Sequence, residues 1–168
     1  MSASFSSIGE QPEQRMQEKR QKLMQKIRDV FSQKIPFHQV IGIQFDEITP
    51  EGCTLSFQMK PELVGNFVHG MLHGGVTATA LDVVGGAMAA AAMLEKNLDA
   101  DEAEIGKKLA KIGTIDLRVD YVRPGIGEQF YAKARLLRSG NKVSVVRMEL
   151  HNQEDTLIAL GTGTYMNG

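Results

Sequence analysis

Residues 65–86 of the 168-residue chain read Gly-Asn-Phe-Val-His-Gly-Met-Leu-His-Gly-Gly-Val-Thr-Ala-Thr-Ala-Leu-Asp-Val-Val-Gly-Gly. A glycine-rich turn bearing His69 and His73 runs into a stretch that is apolar or small on every side, with one carboxylate, Asp82, in its middle. A helix hydrophobic all round is a buried helix, and a buried carboxylate without a partner is costly enough to need a task. The first turn of a helix carries backbone N–H groups with no helical acceptor, at the positive end of the helix dipole. Glycine at 74 and 75 lets a ligand oxygen approach those donors with no Cβ in the way. Backbone donors at a glycine-lined helix entrance, together with a lone acid, are the chemistry to explain.

Plainer readings of the same residues stand beside this one. As structure alone, Asp82 is an acid capped by a partner's backbone N–H groups. Ala78, Thr79, Gly85, Gly86 and Ala89 lie within two turns of it. Each mid-helix glycine costs about 1 kcal/mol relative to alanine, so either a packed partner helix or a ligand tail is expected against them. His69 and His73 have the spacing of two metal ligands on a helix. They sit in a glycine loop with no glutamate after the first histidine and no evident third ligand, so neither metal nor cofactor is expected. His38 and His151 stand alone, as surface or packing residues. The nine methionines suit an adaptable core and tunnel lining.

The elements around these residues follow from periodicity and punctuation. Residues 1–11 are polar and expected to be disordered. From Pro12 to Lys34 a helix is predicted, with Met16, Leu23, Ile27, Val30 and Phe31 on its apolar stripe and Pro36 marking its end. Strands are predicted at Ile41–Thr49 and Cys53–Lys60, around the turn Pro50-Glu51-Gly52. Pro61–His73 is a loop, Gly74 to about Leu94 the central helix, and Glu95–Lys111 a charged, partly helical connection. Strands follow at Thr114–Arg123, Gln129–Arg138, Lys142–His151 and Thr156–Met166, joined by short turns. In the first of these, Ile115, Leu117, Val119 and Tyr121 are expected to share one face, opposite Asp116, Arg118 and Asp120. The order fits one α+β domain, an antiparallel sheet of about six strands wrapped around one buried helix.

Composition narrows the classes further. Nineteen basic and twenty acidic residues give a net charge of −1, which offers no long-range attraction for nucleic acid or an anionic membrane. Cys53 is the single cysteine, so no internal disulfide and no cysteine-based zinc site can form. No secretory signal pattern opens the sequence, and Asp82 with its neighbouring glycines breaks the longest apolar run. A cytoplasmic protein without a membrane partner is expected.

His73-Gly74-Gly75, followed by Asp82 nine positions after the histidine, resembles the acyl-CoA thioesterases of the hotdog fold, and more narrowly their phenylacetate-pathway (PaaI-like) branch. Gly113-Thr114 ahead of Pro124, and the hairpin Arg138-Ser139-Gly140-Asn141-Lys142, fit as well. The resemblance covers roughly residues 37–167, which divides the chain into an N-terminal tail and helix (1–36) and a hotdog domain (37–168). It implies an acyl-CoA substrate, with Asp82 as general base or nucleophile and the Gly74 N–H polarising the thioester carbonyl. It further implies that His73 braces the loop and that Thr114 positions water or the acid. Gly75 lets the substrate approach the backbone. The family often has asparagine six residues before this histidine; here that position is Phe67, and Asn66 lies seven before, so a one-residue bulge is expected. The hairpin is either a grip for a CoA phosphate or an ordinary polar turn.

Nine residues are about two and a half helical turns, so His73 and Asp82 point in nearly opposite directions. A site shared across a homodimer, which the resemblance also implies, would reconcile them, and a tetramer of two dimers is the larger alternative. Competing functions are a hotdog dehydratase acting on hydroxyacyl thioesters and a non-catalytic acyl-CoA binding module.

Overall fold

The computed structural model describes residues 10–167, with side chains at 12–167. Of the tail expected to be disordered, residues 1–9 lie outside this range, whereas Glu10 and Gln11 already belong to the first helix, α1 (Glu10–Asp29). Leu23, Met24 and Ile27 are its buried stripe, while Met16 and Val30 are more than a third exposed. A wider π turn continues to Lys34. The helical run stops at Lys34 with Ile35 extended, ahead of Pro36 as expected, and Pro36 has a second role. It opens a short helix, α2 (Pro36–Ile41), because proline fits a first turn, and Gly42 in the left-handed conformation closes it.

The sheet has six antiparallel strands: β1 (Gln44–Ile48), β2 (Cys53–Gln58), β5 (Gly113–Tyr121), β6 (Gln129–Ser139), β7 (Val143–Asn152) and β8 (Leu157–Met166), in spatial order β1-β2-β6-β7-β8-β5. The segment between β2 and β5 carries the remaining elements after β1. It holds the small hairpin β3 (Val64–Asn66) and β4 (Met71–Leu72), which the loop reading missed, the long helix α3 (Gly74–Glu95) and α4 (Glu102–Leu109). The Asp101 carboxylate caps α4 on the Glu104 N–H, and Ile105 anchors it in the core.

Helix α3 packs on β6, β7, β8 and β2 on one side and on α1 on the other. It has the length and hydropathy of a membrane span, yet 72% of that stretch is buried within the fold. Arg20 of α1 donates to both carboxylate oxygens of Glu95, at 2.8 and 2.5 Å, and so pins α1 to the far end of α3. One strip of α3 stays partly open: Gly75, Ala78, Thr79, Asp82 and Gly86, all small and three or four residues apart.

The mid-helix glycines are explained by neither a partner helix nor a ligand tail at Gly85. A Cβ there would stand 2.1 Å from the hydroxyl and 2.7 Å from Cζ of Tyr165, and one at Gly163 would lie 2.8 Å from the same ring. Together these glycines form the seat of one buried tyrosine. Gly86 has room, its nearest neighbours being Tyr165 at 3.9 Å and Phe31 at 4.0 Å. Gly85→Ala should therefore destabilise the protein by about 1–3 kcal/mol through overpacking. Gly86→Ala should be neutral or stabilising by about 0.5–1 kcal/mol, because helical glycine is entropically costly. Urea unfolding midpoints of the two variants check this; equal midpoints would rule out the seat.

Candidate active site

The start of α3 is shaped by two glycine-dependent approaches. His73 is the N-cap, and its ring Nδ1 accepts the Gly75 N–H at 2.9 Å, which places the neutral ring's proton on Nε2. The His73 carbonyl accepts from Val76 and Thr77, and its own N–H reaches the Leu63 carbonyl. Among the described residues the Gly74 N–H makes no hydrogen bond, so it is the first-turn donor left for a ligand. Gly65 lies so close that a Cβ would stand 2.7 Å from the His73 Cα. The hairpin is bulged at this residue, since Val64 pairs with Leu72 and Asn66 with Met71. This bulge precedes Asn66 and does not account for the extra residue between Asn66 and His73. Asn66 accepts the Val68 N–H at 3.1 Å and thereby shapes the exposed hairpin tip.

One residue outside the helix, Tyr121, completes this end. The Tyr121 hydroxyl donates to the Gly74 carbonyl at 2.7 Å, and its ring edge lies 3.4 Å from where a Gly74 Cβ would be. A side chain at 74 would crowd that ring. A cavity of about 400 Å³ borders Gly74, Tyr121, Arg123 and Pro124.

Asp82 is half-buried rather than fully buried, and it is not unpartnered. Its Oδ1 accepts from the Thr114 hydroxyl at 2.8 Å and from the Tyr165 hydroxyl at 3.3 Å. Tyr165 also lies 3.2 Å from the Asp82 carbonyl. Burial, then the negative charge of Asp82, raise the tyrosine hydroxyl far above its ordinary pKa, so it remains a protonated donor. Both bonds fall on one oxygen, and among the described residues Oδ2 makes none. The carboxylate is thus held by one oxygen and offers the other.

Thr114 reaches Asp82 because β5 is bulged. Thr114 pairs with Tyr165 but Asp116 with Thr164, so Ile115 is an extra residue and is 56% exposed. The expected face of Ile115, Leu117, Val119 and Tyr121 is therefore corrected at its first member. The bulge puts Thr114 on the helix side together with Leu117, opposite Gly163, and Val119, opposite Gly161.

The structure joins Asp82 to Thr114 and His73 to Gly74 and Gly75, but keeps the two groups apart. Eight residues of α3 separate Gly74 from Asp82, about 12 Å along the axis. The hairpin of Arg138, Ser139, Gly140, Asn141 and Lys142 stands at the other end of α3. There the Lys96 ammonium donates to the Ser139 carbonyl at 2.6 Å and the Gly140 carbonyl at 3.2 Å. Arg138, Asn141 and Lys142 are exposed. His69 is exposed at the hairpin tip, and no group of three His, Cys, Asp or Glu side chains suited to a metal occurs among the described residues. His38 is buried with Nδ1 2.7 Å from the Phe31 carbonyl, and His151 sits between Glu149 and Asp155. Tyr165 and Tyr121 escaped the sequence reading. The small face Gly161-Gly163 leading to Tyr165 was the available signal for the first.

Comparison with known proteins agrees with this geometry. Residues 69–159 match the thioesterase superfamily profile. The medium/long-chain acyl-CoA thioesterase YigI of Escherichia coli is 44% identical over 142 residues, 84% of this chain and 92% of that relative. The protein of the same name from Salmonella typhimurium is 42% identical over the same shares. A crystal structure from Shewanella oneidensis, related to the thioesterase superfamily, superposes with a TM-score of 0.86 at 46% identity, covering 89% of this chain and 97% of that one. A thioesterase family protein from Silicibacter pomeroyi shares the fold at 24% identity, with a TM-score of 0.67 over 86% of this chain and 98% of that one. With this match and a six-stranded antiparallel sheet around a long central helix, the chain belongs to the thioesterase superfamily and has its hotdog fold.

Proposed function

We propose that this protein is an acyl-CoA thioesterase, hydrolysing medium- or long-chain acyl-CoA to free acid and CoA. The observation that carries the reading is the asymmetric Asp82 carboxylate, anchored at Oδ1 by two hydroxyls and open at Oδ2. As a base, Oδ2 takes a proton from a water that attacks the thioester carbon. As a nucleophile, it attacks that carbon itself, and water later releases the acid. Either way negative charge gathers on the carbonyl oxygen, where the Gly74 N–H and the helix dipole oppose it. The C–S bond then breaks. On the base route the sulfur takes the proton held at Oδ2. On the nucleophile route CoA leaves as a thiolate that takes its proton from the water that later cleaves the acyl-enzyme anhydride. His73 holds the donor loop, Thr114 and Tyr165 hold the acid, and Asn66 shapes the loop facing the substrate. Arg138, Ser139, Gly140, Asn141 and Lys142 are proposed to grip the CoA phosphates. The His-Gly-Gly turn with its acid supports placement in the PaaI-like branch. A free, buried Cys53 thiol suits a cytoplasmic place of work.

One chain supplies only half of each site, because Gly74 and Asp82 are about 12 Å apart along α3. A two-fold axis beside Ala78, midway between them, would bring Asp82 of one copy to Gly74 of the other. Small residues on the open strip of α3 would permit that approach, and β5 is an edge strand flanked by Tyr121 and Val122, 58% and 45% exposed. At the hairpin tip Phe67 and Val68 are 89% and 70% exposed. Sedimentation should show a homodimer, or a homotetramer of two dimers. A stable, active monomer would contradict the shared site.

Asp82→Asn keeps shape and both hydroxyl bonds but removes the charge. The variant should lose about 10²–10⁴ in kcat while still binding acyl-CoA and melting at or above the wild-type temperature. A purely structural acid would give an unstable protein whose folded fraction hydrolyses normally. Release of free CoA thiol also separates hydrolysis from dehydration or simple binding. Prior dialysis against a chelator should leave the rate unchanged, and restoration by zinc of a lost rate would oppose the carboxylate mechanism.

A further inference from the structure

Between α1, α3 and α4 lies an apolar cleft of about 410 Å³, walled by Leu23, Ile27, Phe31, Ala90, Ile105 and Ile112. Its only charged lining residues are Lys26 and Glu102, which pair with each other at 3.5 Å. Three features place this cleft close to the acid. Asp82, Gly86 and Ala90 follow one another at four-residue steps on α3, so they form one continuous strip. Phe31 both lines the cleft and overlies Gly86. Ile112, on the opposite wall, is two residues from Thr114, which holds Asp82.

We infer that this cleft receives the far end of the acyl chain, so that the N-terminal helix and α4 measure substrate length. The inference rests on the thioesterase reading and adds a specificity site to it. The occupant is fixed by chemistry and by length. A polar or charged group would find only Lys26 and Glu102, already paired with each other, whereas an alkyl chain would gain by leaving water. Asp82 to Ala90 spans about 12 Å along the helix. An extended chain advances about 1.25 Å per bond, the zigzag geometry that places consecutive Cα atoms 3.8 Å apart over three bonds. The path therefore matches roughly nine or ten bonds, and the cleft beyond holds about a dozen groups of water size at ~30 Å³ each. Leu23, Ile27 and Phe31 lie outside the stretch that matches the superfamily profile.

Gly106 gives the test. It lines the cleft from the middle of α4, and a Cβ there meets nothing within 4 Å, so Gly106→Phe fills the space without a clash at its first atom. For the wild type, kcat/KM should rise by about fourfold per methylene from hexanoyl-CoA to dodecanoyl-CoA. The variant should lose at least about tenfold on dodecanoyl-CoA, since displacing two methylenes already costs about sixteenfold, and should treat hexanoyl-CoA as the wild type does. Binding of S-dodecyl-CoA, a thioether that cannot be hydrolysed, should weaken in parallel, and binding of S-hexyl-CoA should not. Equal effects at both lengths, or none at either, would overturn the assignment of the cleft. Selective loss of S-dodecyl-CoA binding in a protein that releases no CoA would retain the cleft and overturn the hydrolase reading.

Discussion

The architecture depends on how closely the central helix can approach the last strand. Gly85 on α3 and Gly163 on β8 leave room for one ring, and Gly161, whose Cβ would lie 3.3 Å from Leu81, closes the next layer. Hydrophobic burial of α3 drives the sheet against it. The absence of three Cβ atoms decides how far that collapse goes. The consequence is chemical as well as mechanical. The ring in the seat is Tyr165, and its hydroxyl ends beside Asp82, so the tightest packing in the fold also fixes the orientation of the carboxylate. Were the helix held a methyl group further away, the acid would keep its place in the sequence and lose its second donor.

Much of this was legible beforehand. The central helix was visible because a stretch with no polar face has only one place to go, and its start was marked by His73-Gly74-Gly75. Asp82 was visible as the sole charge within it. The succession of strands after residue 113 followed from alternation and short turns, though not the pairing of β5 with β8, and the family resemblance supplied the roles. Less legible were features created by pairing. The β3–β4 hairpin rests on a single glycine bulge inside a loop-like composition. The exposure of Ile115 depends on a register shift that no pattern of alternation contains. Tyr165 looked like any strand tyrosine, because its importance comes from two glycines distant in sequence. Pro36 was read as a stop, although proline is equally at home at a beginning.

The α1 extension adds a second layer to this scheme. It packs on β1 and covers the outer side of α3, where it is fastened by the Arg20–Glu95 pair and by Lys19, whose ammonium reaches the carbonyls of Leu98 and Ala100. These contacts join it to the end of α3 remote from Gly74. The two ends of the helix are thereby specialised: one exposes backbone donors under a thin glycine loop, while the other is clamped by long cationic side chains from α1 and by Lys96 under the β6–β7 turn.

The bulge at Ile115 also has a genetic reading. It acts as a phase shifter within one strand: residues before it are addressed to the acid, and residues after it to the core. Exchanging the side chain at 115 for another should be tolerated, since it points outward and touches neither group. Losing or gaining a single codon between 114 and 117 is different in kind, because it would rotate one half of the strand relative to the other by a full side-chain alternation. Thr114 would face away from Asp82, or Leu117 and Val119 would turn from the helix. Along this strand, length is therefore under stronger constraint than composition.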